Sequence, residues 1–161
     1  MKNLLVLIVK KRDKAQKLLR KNLKISIVLL ALAGGILIRL LREDNEVLRF
    51  YAPHGTVFIE LARTEQEREL GLMNRQSLGS EDGMLFVFDE NDAGCFWMKN
   101  TYIALDMIWL NSDKKVTFVH HNAKPQSEES ICPDSTATFV LELNAGVANQ
   151  LGLTVGAQAR F

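Results

Sequence analysis

The sequence predicts a mainly β (α+β) fold: a compact, antiparallel, β-barrel-like domain with two short helices, preceded by one N-terminal transmembrane helix. Two observations support this prediction. Short β-forming segments alternate with turn residues throughout residues 56–161. Ahead of them lies a run of seventeen residues, Ile25–Leu41, that is apolar apart from Ser26 and Arg39. Six or seven short strands with two helices are typical of a single β-rich domain.

The N-terminal part of the chain has the charge pattern of a membrane anchor. Residues 1–42 contain eleven Lys or Arg and one acid, whereas residues 43–161 contain nine bases and eighteen acids. Ile25–Leu41 reaches the lower limit of the roughly 17–25 residues that cross a bilayer. Because basic flanks stay in the cytoplasm, we expect residues 1–24 to be cytoplasmic, residues 25–41 to span the membrane, residues 42–55 to be a linker and residues 56–161 to lie outside.

Two other interpretations of this segment stay open. Ala31-Leu32-Ala33 resembles a signal-peptide cleavage site, and cleavage there would release a secreted or periplasmic protein. The apolar core left before that site, Ile25–Leu30, is shorter than the ~7–15 residues expected. The segment could also be a buried helix of a soluble protein, but the basic lead-in argues against this. A retained signal anchor is therefore the favoured prediction.

The first helix has clear start and stop signals. Thr64 is followed three residues later by Glu67, which is the pattern of a capping box. It predicts a helix over Glu65–Leu70 that ends at Gly71. A second short helix, Ala145–Leu151, is predicted with Asn144 as its N-cap and Gly152 after its end.

Strands are predicted where β-branched and aromatic residues cluster between turn residues. The predicted strands are Thr56–Leu61, Met84–Phe88, Cys95–Met98, Leu105–Leu110, Val116–His121, Thr136–Leu143 and a last strand that ends at Phe161.

Five motifs occur in one order along the exported part: GLMNRQSL from Gly71, EDGMLFVF from Glu81, FWMKNTYIALDMIWL from Phe96, CPDS from Cys132 and FVLELNAG from Phe139. In this order they resemble the domain of unknown function 192 family over roughly residues 56–161. The resemblance implies a small β-rich protein of bacteria or archaea, often found behind a signal or lipoprotein segment, with no established activity. Family members often have proline where this chain has Ala104, which implies a looser turn here.

A polar cluster between two β-forming runs is the candidate ligand-binding site. Asp106 is a carboxylate inside an apolar strand, so it needs either solvent or hydrogen-bond donors. Nearby polar side chains could supply donors, which gives Asp106 two possible roles: it holds the turn, or it binds a ligand. A general acid would need a second carboxylate, for which Glu142 is a candidate if its strand pairs suitably. The predicted ligand-binding residues are Trp97, Met98, Lys99, Asn100, Thr101 and Asp106.

The sulfur-containing residues allow two further hypotheses. Thioethers can bind Cu(I), but the spacing of the four methionines in this region favours core packing: Met73, Met84, Met98 and Met107. Copper binding is therefore an alternative, and no cofactor is expected. Cys95 and Cys132 could form a disulfide outside the cytoplasm or remain free thiols.

These features favour a non-enzymatic module that binds a small ligand or a protein partner outside the membrane. The alternative is an enzyme that uses a Lys/Asn/Asp pocket or a thiol, but no nucleophile–base spacing is recognisable. The net charge of −9 on residues 43–161 argues against nucleic-acid binding.

Overall fold

The computed structural model describes residues 47–89 and 92–161. The predicted membrane anchor and its basic flank lie outside these ranges. No helix within them is long and apolar enough to cross a membrane. The described residues form one six-stranded sheet in the order β1-β2-β3-β6-β4-β5. Its elements are β1 (Val47–Ala52), β2 (Gly55–Ala62), α1 (Glu65–Leu70), β3 (Asp82–Val87), β4 (Leu105–Leu110), β5 (Val116–Ala123), β6 (Phe139–Asn144) and α2 (Val147–Gln150).

The sheet is open, so the predicted barrel-like closure is wrong. Strands β1 and β5 are the two edges of the sheet, and they do not pair with each other. The predicted last strand, which could have joined them, forms only isolated bridges: Arg160 pairs with Tyr51 of β1, and Gln158 pairs with Lys115 beside β5. This segment forms bridges to both edges but no regular strand within the described residues, so the sheet is not closed into a barrel.

The sheet is also mixed rather than fully antiparallel, because β2 and β3 run parallel. A parallel pair needs a crossover connection, and α1 lies on that connection. The predicted capping box of α1 is confirmed: the Thr64 hydroxyl accepts a hydrogen bond from the Glu67 backbone N–H, and the Glu67 carboxylate accepts one from the Thr64 N–H. The helix has the predicted bounds, and Gly71 ends it with a φ of 47°.

The predicted bounds of β4 are also confirmed, and all six of its residues are buried. Side chains alternate between the two faces of a strand, and both faces of β4 are covered. One apolar cluster contains Ile108 and Leu110, and the other contains Met107 and Trp109. The sequence of this central strand is therefore a nearly continuous apolar run, as expected for a strand that is buried on both faces.

Three other elements differ from the sequence prediction. Strand β1 lies inside the segment 42–55, for which the sequence predicts a linker. Cys95–Met98 is not a strand, because only Phe96 forms a bridge, to Ile131. Asn144 does not cap α2; its side-chain amide donates to the carbonyl groups of Leu78 and Gly79, at 3.1 and 2.9 Å. Helix α2 begins after Gly146 instead.

Candidate ligand-binding site

Two carboxyl side chains are buried in the described part of the chain, Asp106 on β4 and Glu142 on β6. The two strands are hydrogen-bonded neighbours, and their register pairs Asp106 with Leu143 and Glu142 with Met107. Paired residues share a face of the sheet, so the two carboxyl groups lie on opposite faces. Glu142 is therefore not the second carboxylate of a site at Asp106.

The carboxylate of Asp106 is fully occupied by backbone donors. Its Oδ1 accepts a hydrogen bond from the N–H of Asn122 at 2.9 Å. Its Oδ2 accepts from the N–H groups of Gly146 and Ala148 at 2.8 and 3.0 Å. These two amides belong to the start of α2, so Asp106 supplies the cap that Asn144 does not. The Nδ1 of His121 lies 3.7 Å from Oδ1.

Glu142 has the opposite environment. Its carboxyl group forms no hydrogen bond or ion pair with any residue of the ranges that the structure describes, although its side chain is only 5% exposed. Its partners on the two adjacent strands are Met84 and Met107, which offer no charge. Burial raises the pKa of Glu142 to about 8, so at neutral pH the group is mostly an uncharged carboxylic acid.

The carboxyl group of Glu142 opens onto a cavity of about 420 Å³, a size that is typical of small-molecule sites. Helix α1 and the turn after it form one wall. The other walls are largely aromatic and come from Phe86, Phe88, Phe96 and Trp97.

Phe96 is the centre of the aromatic wall. Its ring meets Phe86 edge to face at 5.0 Å and Trp109 at 5.6 Å between centroids. Such edge-to-face pairs are favourable and directional. The wall is therefore held in shape by ring packing.

A disulfide fixes the same wall from the other side. It joins Cys95 to Cys132. One residue along, Phe96 and Ile131 exchange two backbone hydrogen bonds at 2.9 and 2.8 Å. The cavity wall is thus tied to the loop that precedes β6.

The charged groups around the cavity are mostly acidic. Of the described residues, Glu65 and Glu69 of α1 line it with Glu142, and Arg68 is the one base among them. The guanidinium of Arg68 donates to the carbonyl groups of Arg63 and Val87 and lies 5.0 Å over the ring of Phe88. The one cation among the described lining residues is therefore already hydrogen-bonded to the protein.

The structure divides the six residues predicted for ligand binding. Trp97 and Thr101 line the cavity above Glu142. Lys99 and Asn100 line a second cavity of about 380 Å³, which shares Trp97 with the first. Met98 is buried in the apolar cluster on this face, and Asp106 is on the other face. Ligand contact by these residues stays a prediction.

The methionines are placed as follows. Met84, Met98 and Met107 belong to the apolar cluster around Glu142, and Met73 lines the cavity. Within residues 47–89 and 92–161, no group of three His, Cys, Asp or Glu side chains could hold a metal ion. Copper binding through thioethers stays an alternative prediction.

Comparison with known proteins agrees with the five ordered motifs. Residues 50–161 match the DUF192 family, described as "Uncharacterized ACR". The chain belongs to this family. No curated protein matches the DUF192 chain significantly.

Two solved structures resemble this DUF192 domain. A protein of unknown function from Novosphingobium aromaticivorans DSM 12444 is 34% identical, with a TM-score of 0.68, over 75% of this chain and 89% of that one. A protein from Sinorhizobium meliloti 1021, described as a candidate transcription regulator, is 37% identical, with a TM-score of 0.62, over 70% of this chain and 89% of that one.

Sequence reasoning treated Glu142 only as a possible partner of Asp106, and missed it as the buried acid of a separate cavity. A signal was present, because Glu142 interrupts an apolar strand in which Val140 shares its face and Leu141 and Leu143 occupy the other. An acid with apolar neighbours on both faces of a strand predicts a buried carboxyl group. The residues that line its cavity come from segments far apart in the sequence, so the cavity itself could not be predicted.

Proposed function

We propose that this DUF192 domain is a non-enzymatic module that binds a small ligand in the cavity above Glu142. The observation that carries the proposal is the buried carboxyl group without a protein partner. The carboxyl oxygens therefore depend on water or a ligand in the cavity for their hydrogen bonds. Asp106, one strand away, is satisfied by three amides, whereas Glu142 faces a cavity that a ligand could fill. Functional residues are often retained at the expense of stability.

Binding explains the cavity better than catalysis because its described lining residues include no activated nucleophile. The Thr101 hydroxyl donates to the carbonyl group of Lys99 at 3.3 Å. Cys95 is bonded to Cys132, and no histidine is among the described residues that line the cavity. A nucleophile needs a base within hydrogen-bond reach, and this arrangement does not provide the pair.

We further propose that the domain is held on the outer face of the membrane by residues 25–41. The charge asymmetry along the chain supports this orientation. The Cys95–Cys132 disulfide supports it independently, because such bonds persist in oxidising compartments.

A ligand screen tests the binding function. Chemically diverse small molecules are screened for thermal protection of the full chain in an uncharged detergent, alongside Glu142→Gln and the exposed control Glu81→Gln. The expected result is a ligand that protects the wild type and the control but not Glu142→Gln. If every protective compound acts equally on all three proteins, Glu142 is not part of a ligand site.

A reporter fusion tests the orientation. A phosphatase that folds only outside the cytoplasm, fused after Phe161, should be active. Activity only of a cytosol-dependent reporter at that position would refute the external location.

A further inference from the structure

We propose that the ligand is a small organic cation, whose ammonium group pairs with the carboxylate of Glu142 while its apolar part lies against Phe96 and Trp97. This inference rests on the proposed binding function and specifies the chemistry of its ligand. Three features of the cavity support it: the balance of charge, the aromatic faces and the missing partner of Glu142.

The charge balance disfavours an anionic ligand. Among the described residues, the cavity is lined by three carboxyl groups and one guanidinium, and that guanidinium is bonded to two backbone carbonyl groups. An entering anion would meet Glu65 and Glu69 at the cavity wall, and no described residue of the lining offers it a cation without a protein partner. The nearby Lys99 ammonium lies over the ring of Trp97. A cation would instead be attracted by the same field.

The aromatic faces already accept cations. The Arg68 guanidinium lies 5.0 Å over the ring of Phe88, and the Lys99 ammonium lies 5.2 Å over the ring of Trp97. These are cation–π distances. Trp97 is 47% exposed, so its ring surface remains accessible. A ligand cation inside the cavity would use the same interaction in a less hydrated place, where it is stronger.

A cation also supplies what Glu142 lacks. On binding of the cation the uncharged acid would lose its proton to solvent, and the resulting carboxylate would pair with the ligand ammonium. Up to one proton is therefore released for each cation bound, at pH values between the lowered pKa of the bound state and the pKa of about 8 in the free protein.

Among the groups that face the cavity, Glu142 is the one to which we assign the released proton. Met84 and Met107 flank it on the adjacent strands and do not titrate. Helix α1 contributes the wall residues Glu65, Arg68 and Glu69, and the segment after the disulfide contributes Thr101. Of these groups, Glu142 is the buried acid, so a proton released near neutral pH identifies it.

The test compares choline with 3,3-dimethylbutan-1-ol, its uncharged carbon isostere, by calorimetric titration of the full chain in an uncharged detergent. We expect choline to bind at least about tenfold more tightly than the alcohol. Its affinity should rise by up to about tenfold per pH unit from pH 6 to 8, with proton release seen in buffers of different ionisation enthalpy. Choline keeps its charge throughout, so the slope reports on the protein.

Variants locate the interaction. Glu142→Gln should weaken choline binding at least about tenfold and remove its pH dependence, whereas Glu81→Gln should change neither. Equal binding of choline and the alcohol, no choline binding at any pH, or choline binding that survives Glu142→Gln unchanged would each overturn the proposal. A neutral or anionic compound that protects only proteins with Glu142 would overturn the cation while leaving the binding function intact. A screen without any compound that depends on Glu142 would remove the binding function itself.

Discussion

Asp106 and Glu142 are buried carboxyl groups on neighbouring strands, yet their environments are opposite. Asp106 lies on one face of the sheet and accepts three backbone hydrogen bonds, two of them from the start of α2. Glu142 lies on the other face between two methionines and opens onto a cavity. Burial alone therefore does not identify a functional acid. An acid whose bonds are all made by the fold is structural, whereas one left without a partner is available to a ligand.

The largest effect is expected at Asp106. Asp106→Asn replaces an accepting oxygen by an amide NH2 group that donates and cannot accept, and leaves buried N–H groups of α2 or β5 without a charged partner. We expect the free energy of unfolding to fall by about 4 kcal/mol, measured by denaturant unfolding. A loss below about 0.5 kcal/mol, the level of ordinary surface changes, would mean that the network does not stabilise the fold.

Removal of the disulfide should affect the Glu142 face selectively. The bond closes a loop across a separation of 37 residues, and opening it in Cys95→Ser/Cys132→Ser should reduce stability by about 3 kcal/mol. Ligand protection should weaken because Phe96 and Trp97 lose their anchor. Hydrogen exchange of the Gly146 and Ala148 amides, relative to global unfolding, should stay unchanged. Faster relative exchange of these amides would show that the two faces are not independent.

The pH dependence of stability should belong to Glu142. Its pKa is raised from 4.5 to about 8 in the folded protein, so the folded state holds a proton that the unfolded state has lost. The stabilisation is fully present below pH 4.5 and is lost as the pH rises towards 8, by up to about 1.4 kcal/mol per pH unit. Glu142→Gln should remove this component from the stability profile. Identical profiles for the two proteins would contradict the assignment.

The smallest effect is expected at the N-terminal cap of α1. This helix lines the cavity beside Glu142 and is remote in sequence from Asp106. Thr64→Ala removes the hydroxyl that accepts from the Glu67 N–H, and we expect a loss of about 1 kcal/mol. Thr64→Ser keeps the acceptor and is the matched control. Equal melting temperatures for all three proteins would show that the capping box does not hold the helix.

Local patterns were predictable from the sequence, and distant pairings were not. The capping box at Thr64 and the strand Leu105–Leu110 depend on residues within a few positions of one another, and both were predicted with their observed bounds. The five ordered motifs likewise identified the family. These signals are all contained in short windows of the chain.

The predictions that were wrong or incomplete share one physical cause, which is that they depend on residues far apart in the sequence. Asp106 caps a helix that begins about forty positions later, and Asn144 bonds a turn 65 positions earlier. Neither partner is visible in a local pattern. The strand order and its register decide which face carries Glu142, and the isolated bridges of the C-terminal segment decide that the sheet stays open. Trp97 and Thr101 line the same cavity as Glu142, but this proximity depends on the strand order and register, which the sequence does not show.

The most direct test of the unpartnered acid is the titration of the Glu142 side-chain carboxyl carbon by NMR, with and without choline. The account predicts a pKa near 8 in the free protein, falling when choline saturates the cavity, because a bound cation stabilises the carboxylate. A pKa near the ordinary 4.5 that does not respond to choline would contradict it.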